Sequence, residues 1–460
     1  MATIAAVLIV KNEEDNLARC LQLLAGVVDE LVVVDTGSTD GTLALARHFT
    51  PKVFEIAWED DFSAARNYSL KQVESDYVLV VDGDEHLLED AATSRALLER
   101  FVVEHAPEVL GTVERVNVLG ADPQAGEMLE RIPRFFRRGV FHYRGAIHEQ
   151  LVPSRQDGEC AGGRLRAAPT GVRLAHTGYN ADTPQFEVRS LRNKALLERE
   201  VAKSPDNEYY HYQLGKTHFC LRAYAAAALA FERSLGAMVF REGEDVRNTA
   251  GECVAGEVLA DLVVSLAYAY ANTARLEAAR DLLERHQALG HAGCMWADFH
   301  HAVGYVYLML GDVARARRAY EEALRVGADR EQVRGTGSYS SHYHLGLLAE
   351  VEGDLPMALT CYLRALQAKP DYAVALSRCV DLVVEQGIAL PALLWDVADR
   401  RALGNMFAGR LGDLLATGQA RQAAQVVEAA RRLSGDLLSR CLEMCQDRGL
   451  DAEALRKGLQ

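Results

Sequence analysis

The sequence predicts two regions of different fold class: an α/β domain built on a mostly parallel sheet, then an all-α domain of helical repeats. Three observations carry this. The chain has 460 residues, more than one domain usually holds. Up to about Asn180, short apolar runs alternate with stretches of helical periodicity, whereas beyond Pro184 the pattern is helical almost throughout. In that second stretch a motif of small and aromatic residues recurs in constant order.

Ile4 to Val10 is apolar throughout and reads as the first strand. Glu13 to Leu24 sets Leu17, Cys20, Leu21 and Leu24 at helical spacing. Leu31 to Val34 is a second strand, Thr42 to Phe49 a helix, Val53 to Ile56 a short strand, Ala64 to Val73 a helix and Tyr77 to Val81 a further strand. Strands this uniformly apolar are covered on both faces, which is why a parallel sheet flanked by helices is expected. The boundaries drawn are 1–182 for the α/β domain, 183–204 for a connector helix or linker and 205–460 for the helical domain.

The recurring motif begins with a pair such as Leu-Gly, has Ala thirteen residues after its first member, and an aromatic or Leu four later. It occurs at Leu214-Gly215 with Ala227 and Phe231, and at Leu266-Ala267 with Ala279 and Leu283. It returns at Val303-Gly304 with Ala316 and Tyr320, and at Leu345-Gly346 with Ala358, Tyr362 and Pro370. These copies resemble tetratricopeptide repeats, in which small residues stand where two helices touch and larger ones fill the gaps. Leu411-Gly412 with Ala423-Ala424 is a candidate capping pair. Such an array presents a concave surface and points to binding rather than chemistry.

Composition excludes several classes. Lys and Arg number 50 against 65 Asp and Glu, a net charge of −15, which argues against a general nucleic-acid binder. Val254 to Ala271 is apolar but contains Glu257 and Asp261, so it is expected as a buried amphipathic helix and not a membrane span. Met1 to Val10 lacks a basic leader and runs directly into Lys11-Asn12-Glu13-Glu14, as a strand and its loop would. Nine scattered cysteines without a C-x-x-C pair fit a reduced, cytoplasmic compartment.

In open parallel sheets, ligands bind beyond the carboxyl ends of the strands. The first strand is followed by Lys11-Asn12-Glu13-Glu14, the second by Asp35-Thr36-Gly37-Ser38-Thr39-Asp40-Gly41 and Val78 to Val81 by Asp82-Gly83-Asp84-Glu85. Asp40, just before a helix, is expected to be a turn former or cap. Asp82 and Asp84 are different: two carboxylates at a buried strand's end repel unless a cation or a donor lies between them. Their hard oxygens suit Mg²⁺ or Mn²⁺, which in turn hold diphosphate oxygens. No phosphate-cradling G-x-x-x-x-G-K-[ST] loop is present, and no G-x-G-x-x-G follows a strand.

Taken in order, Val7 to Glu14, Val32 to Thr42, Ala65-Arg66-Asn67 and Asp82-Gly83-Asp84 resemble the family 2 glycosyltransferases. The resemblance covers roughly the first 180 residues. It implies a GT-A fold, a nucleoside-diphosphate sugar donor, with a UDP-sugar expected, and inversion at the anomeric carbon. A family 2 domain followed by tetratricopeptide repeats is also similar to the enzymes that glycosylate Cys or Ser of bacteriocin-type peptides. The resemblance implies that Asp35 contacts uracil or ribose, that Asn12 and Glu13 lie beside the base, and that Arg66 and Asn67 line the donor site. It assigns Asp84 as direct metal ligand and Asp82 to the metal, sugar and ribose.

Inverting transfer needs a general base on the acceptor side of the anomeric carbon. Ile147-His148-Glu149 supplies the candidates: Glu149 as base, with His148 shaping its surroundings or taking that role itself. The motif departs from the commoner E-D form. His176, in Ala175-His176-Thr177-Gly178-Tyr179, stands where many GT-A enzymes have a late His that reaches the metal or the diphosphate. The basic run Arg131 to Arg144 is either a solvated face or a complement to phosphate charge.

The expectation is thus an enzyme with a nucleotide sugar as donor and a peptide or protein Ser, Thr or Cys as acceptor. The repeats would recognise that acceptor, pair two subunits, or both, with no nucleic acid as partner and no membrane span. One alternative is a same-fold transferase acting on a saccharide or lipid-linked acceptor, the repeats being an assembly platform. A second is a non-enzymatic scaffold with a decayed transferase domain, against which the intact Asp35, Asp82, Asp84, Glu149 and His176 speak.

Overall fold

A computed structural model describes residues 2–118, 127–154, 165–176, 184–241, 245–249, 251, 253–290 and 292–447. Thr177-Gly178-Tyr179 and the expected 182/183 boundary lie outside them. The opening elements follow the hydrophobic pattern: β1 (Ile4–Val10), α1 (Glu14–Leu24), β2 (Glu30–Asp35), α2 (Thr42–Phe49), β3 (Val53–Glu55), α3 (Phe62–Lys71) and β4 (Tyr77–Val80). There follow β5 (Glu85–Leu87), α4 (Ala91–Glu104), β6 (Leu110–Val118), β7 (Glu127–Arg137), β8 (Phe141–Arg144), β9 (Gln150–Pro153) and β10 (Ala167–His176).

An eight-stranded sheet runs in the order β3-β2-β1-β4-β7-β6-β10-β5, and β8 and β9 form a separate hairpin. From β3 to β4 all pairings are parallel, as is β6 with β10. β7 enters antiparallel between β4 and β6, and β5 pairs antiparallel with β10. Both faces are covered. Ala6 and Leu8 of β1 pack with Leu17, Leu21 and Phe135, while Ala5 and Val7 pack with Val32, Val78 and Phe136. This double burial is what makes the run Ile4 to Val10 apolar at every position.

The first compact unit, Met1–Cys294, also contains α5 (Pro184–Lys203), α6 (Glu208–Cys220), α7 (Tyr224–Gly236), α8 (Gly256–Asn272) and α9 (Leu276–Leu289). The sheet therefore shares its unit with the first two helical pairs. In α8 the expected amphipathic character is present: Leu262, Val263 and Leu266 are buried, and Asp261 accepts hydrogen bonds from Tyr212 Oη at 2.5 Å and Lys216 Nζ at 2.9 Å.

The second unit, Met295–Gln460, holds α10 (Ala297–Met309), α11 (Val313–Val326), α12 (Tyr339–Val351), α13 (Leu355–Ala368) and α14 (Ala373–Gln386). It continues with α15 (Leu393–Val397), α16 (Arg400–Ala416), α17 (Ala420–Leu433) and α18 (Gly435–Asp447). The motif read from the sequence sits at the helix contacts. A Cβ added to Gly215 would come within 2.4 Å of the Phe231 ring, and one on Gly346 within 2.4 Å of Tyr362. These glycines let paired helices close on a buried aromatic ring, the packing role that small residues have in such repeats.

Candidate active site

The loops that leave β1, β2 and β4 meet at one end of the sheet. Asn12, in the left-handed region at φ 55°, accepts a hydrogen bond at Oδ1 from Thr39 N at 2.8 Å and donates its own N–H to Ser38 Oγ at 2.9 Å. It thus ties the first loop to the second. Asp35, buried at the end of β2, takes the Gly37 and Ser38 N–H groups on Oδ1, both at 2.9 Å. Its Oδ2 is buried and has no hydrogen-bond partner among the described residues. Asp40 is the expected turn former, its Oδ1 accepting from Thr42 N two residues on. Gly83 is the close-approach point, since a Cβ there would lie 3.1 Å from the Glu13 side chain.

The two aspartates of Asp82-Gly83-Asp84 have different surroundings. Asp82 accepts Arg66 Nη2 on Oδ1 at 2.8 Å and Arg134 Nη2 on Oδ2 at 2.7 Å. Burial alone would raise its pKa, but Arg134 and Arg66 hold it well below the usual carboxylate range. Arg66, itself buried, also donates Nε to Glu149 Oε1 at 2.5 Å and leaves Nη1 buried without a partner among the described residues. One guanidinium therefore joins the end of β4 to the Ile147-His148-Glu149 segment. Asn67 uses both ends of its amide on the Tyr143 main chain, each bond 2.8 Å, and so anchors β8.

Asp84 faces His176. The imidazole Nε2 lies 3.4 Å from Oδ2 of Asp84, and Nδ1 lies 2.7 Å from Oδ1 of Asn117. The orientation of Asn117 follows from its other contact: its Nδ2 donates to Glu130 Oε2 at 2.7 Å, and a carboxylate can only accept. Nδ1 of His176 must then be the donor, which turns Nε2 toward Asp84. Against burial, which would raise it, His176 and Arg189 lower the pKa of Asp84. Arg189 donates Nη1 to Asp84 Oδ2 at 2.7 Å and Nη2 to Glu13 Oε1 at 3.0 Å. Burial and Asp84 raise the pKa of Glu13.

The Glu149 segment is held by helices that follow the sheet. Ile147 is buried with Leu196 and Leu197 of α5, Leu214 of α6 and Ala230 of α7. His148 has φ 49°, a strained setting for a residue other than glycine, and its Nε2 is buried without a partner among the described residues. Burial pushes the His148 imidazole down from its ordinary pKa.

Residues 5–164 match the family described as glycosyl transferase family 2. The N-terminal domain is a family 2 glycosyl transferase domain. A TPR repeat-containing protein of Synechococcus elongatus is 35% identical over 222 residues, 47% of this chain and 52% of that protein. The SPbeta prophage-derived glycosyltransferase SunS of Bacillus subtilis is 25% identical over 218 residues, 46% of this chain and 49% of that one. A lipopolysaccharide core biosynthesis glycosyltransferase, LpsC of Rhizobium meliloti, is 29% identical over 171 residues, 35% of this chain and 62% of that one. The chain spans about half the length of the first two of these relatives.

Within the transferase domain, Glu13, Asp84 and His176 are linked through Arg189 and the His176 imidazole, and Asp82 and Glu149 through Arg66. Among the described residues, no group of three or more His, Cys, Asp or Glu side chains is arranged to hold a metal ion. The basic run divides: Arg134 is buried against Asp82, whereas Arg131, Arg137, Arg138 and Arg144 are exposed. Asn117, Glu130 and Arg189 escaped the sequence reading. For Asn117 and Glu130 the sequence signal was polar residues interrupting strands β6 and β7, whereas Arg189, on α5, had none. No helix among the described residues is long and apolar enough to cross a membrane.

Proposed function

We propose that the protein transfers a sugar from a nucleoside-diphosphate sugar, with UDP-sugars as the leading donors, to a Ser, Thr or Cys side chain of a peptide or protein. In this reading transfer inverts the anomeric carbon and requires Mn²⁺ or Mg²⁺. The observation that carries the donor half is the buried, unpartnered Oδ2 of Asp35 at a strand end. A buried acceptor without a donor is costly, and a uracil N–H or a ribose hydroxyl would satisfy it.

The residues present fit a divalent cation. Asp84 Oδ2 and His176 Nε2 are 3.4 Å apart, close to the separation of about 3 Å between adjacent ligands of an octahedral ion with bonds near 2.1 Å. Asp84 and His176 would hold the ion, while Asp82, with both oxygens on arginines, would stand behind them. When bound, the cation would supply positive charge to the leaving diphosphate. Arg66 orients Glu149, which would take the proton of the attacking hydroxyl or thiol from the acceptor side.

The acceptor is assigned to a peptide because the Glu149 segment rests on α5, α6 and α7, placing the first helical pair beside the proposed base. Pairing of two copies through the later repeats belongs to the same reading. The test is incubation of the full chain with a panel of nucleotide sugars and Mn²⁺ or Mg²⁺, following diphosphate release. Acceptor peptides and oligosaccharides are added separately and the products identified by mass spectrometry. Release that depends on Asp84 supports the reading. No binding or turnover of any donor, with Asp84→Ala indistinguishable from the parent, removes it. Transfer to oligosaccharides alone would leave the donor half and reassign the acceptor.

A further inference from the structure

We propose that Arg189 of α5 competes with the divalent cation for Asp84, and that on displacement it binds the donor's diphosphate together with Arg192. The proposal rests on the transferase reading and adds to it an exchange of partners at one oxygen.

The geometry is specific. The oxygen of Asp84 that faces His176 Nε2 at 3.4 Å is the same Oδ2 that accepts Arg189 Nη1 at 2.7 Å. The other Nη of Arg189 is held by Glu13, so a single guanidinium bridges the β1 and β4 loops. A guanidinium and a divalent ion are both positive and are drawn to the same lone pairs, so each weakens the other's hold. A metal that takes Oδ2 leaves Arg189 with a neutralised partner. In the transferase reading the donor's diphosphate would lie beside such a metal, and a planar guanidinium binds a phosphate through two parallel hydrogen bonds.

α5 is placed to make this exchange. Its Arg189 reaches the strand-end loops, Arg192 lies over the Phe62 ring at 5.3 Å, and Arg199 donates to Asp60 at 2.8 Å. The helix thus lies along the loops that follow β1, β3 and β4. Arg192 is exposed, with its guanidinium bonded to Asn193 Oδ1 and, among the described residues, no carboxylate within ion-pair distance. It stands three residues from Arg189 on α5, on the same face of the helix. Two neighbouring guanidinium groups, only one of them ion-paired, make a site for a multiply charged anion.

The test measures Mn²⁺ binding and UDP binding to the full chain by calorimetry, without any turnover. In the parent, UDP is expected to tighten Mn²⁺ by at least about tenfold. Arg189→Gln is expected to tighten Mn²⁺ alone about fivefold while weakening UDP, in the presence of Mn²⁺, about tenfold. Arg192→Gln should weaken UDP and leave Mn²⁺ alone unchanged. Arg189→Lys, which keeps the charge, should bind Mn²⁺ as weakly as the parent. If Arg189→Gln does not fold, the Lys variant and the UDP dependence of the parent still decide. Unchanged or weaker Mn²⁺ binding by Arg189→Gln, or a parent whose Mn²⁺ affinity ignores UDP, overturns the proposal. A parent that binds neither Mn²⁺ nor UDP instead overturns the transferase reading.

Discussion

Asn117 Oδ1 lies 2.7 Å from His176 Nδ1, and this contact aims the imidazole Nε2 at Asp84. Asn117 is fully buried and 59 residues away in sequence. Replacing it by Leu keeps the branched shape but removes the acceptor, freeing the ring to turn and to change tautomer. Groups that orient a ligating His are commonly worth about 10–100-fold in metal affinity. Asn117→Leu is therefore expected to lower Mn²⁺ affinity by about that factor, measured by calorimetry, with Asp84→Ala as the reference for complete loss.

Asp82 holds two buried arginines, so its loss leaves Arg66 and Arg134 short of a counter-charge. Removing one partner of a buried pair costs about 3–5 kcal/mol, and the partial exposure of Asp82 places Asp82→Asn near about 3 kcal/mol. Asp82 and Asp84 are both depressed in the folded protein, so folding favours their ionised forms. Their contribution is whole above the unfolded carboxyl value of about 4 and is lost as pH falls through the lower folded values. Urea midpoints should be flat from about pH 7 to about pH 5 and fall below about pH 4, with a shallower fall in Asp82→Asn.

Glu149 and His148 separate by substitution. Glu149→Gln keeps the bond to Arg66 but cannot accept a proton, and is expected to lower kcat about 10²–10⁴-fold with donor affinity retained. His148 has positive φ, a conformation that Asn tolerates well. His148→Asn should therefore preserve the loop and keep kcat within about tenfold of the parent, far less than a base would cost. The reverse order of effects would move the base to His148.

Gly346 marks the closest approach of α12 to the Tyr362 ring. Tyr362 is fully buried, and its hydroxyl donates to Glu350. The ring therefore has little room to yield. Gly346→Ala should gain helix propensity of about 1 kcal/mol yet lose about 1–3 kcal/mol by overpacking, a net destabilisation of the second unit. Thermal unfolding should show the loss, and adding Tyr362→Leu should recover part of it.

How much could be read from the chain varies along it. β1, β2 and β4 lie in the middle of a sheet covered on both faces, so Ile4 to Val10 and Tyr77 to Val80 are apolar without interruption. β6, β7 and β10 are harder, because Arg115, Asn117, Glu130, Arg134 and His176 point into the site and break the pattern. The repeats were legible because Gly215, Gly304 and Gly346 each meet a ring at a constant distance along the chain. Asp35 and Asp82-Gly83-Asp84 stood out because each follows an apolar strand directly.

Periodicity and strand-end position are local properties, so residue order alone established the α/β-then-helical layout and marked Asp35, Asp82 and Asp84 at the strand ends. Partner choice is not local. Asp82 and Asp84 are two residues apart, yet one is bound by arginines of α3 and β7 and the other faces His176 of β10 and Arg189 of α5. Charge pairing and hydrogen bonding act over a few ångströms in space, and only the closed fold brings residues 105 positions apart, such as Asp84 and Arg189, within that range. That is why the aspartate pair was visible in the chain, while the separation of its members, one held by Arg66 and Arg134 and one facing His176 and Arg189, came with the tertiary contacts.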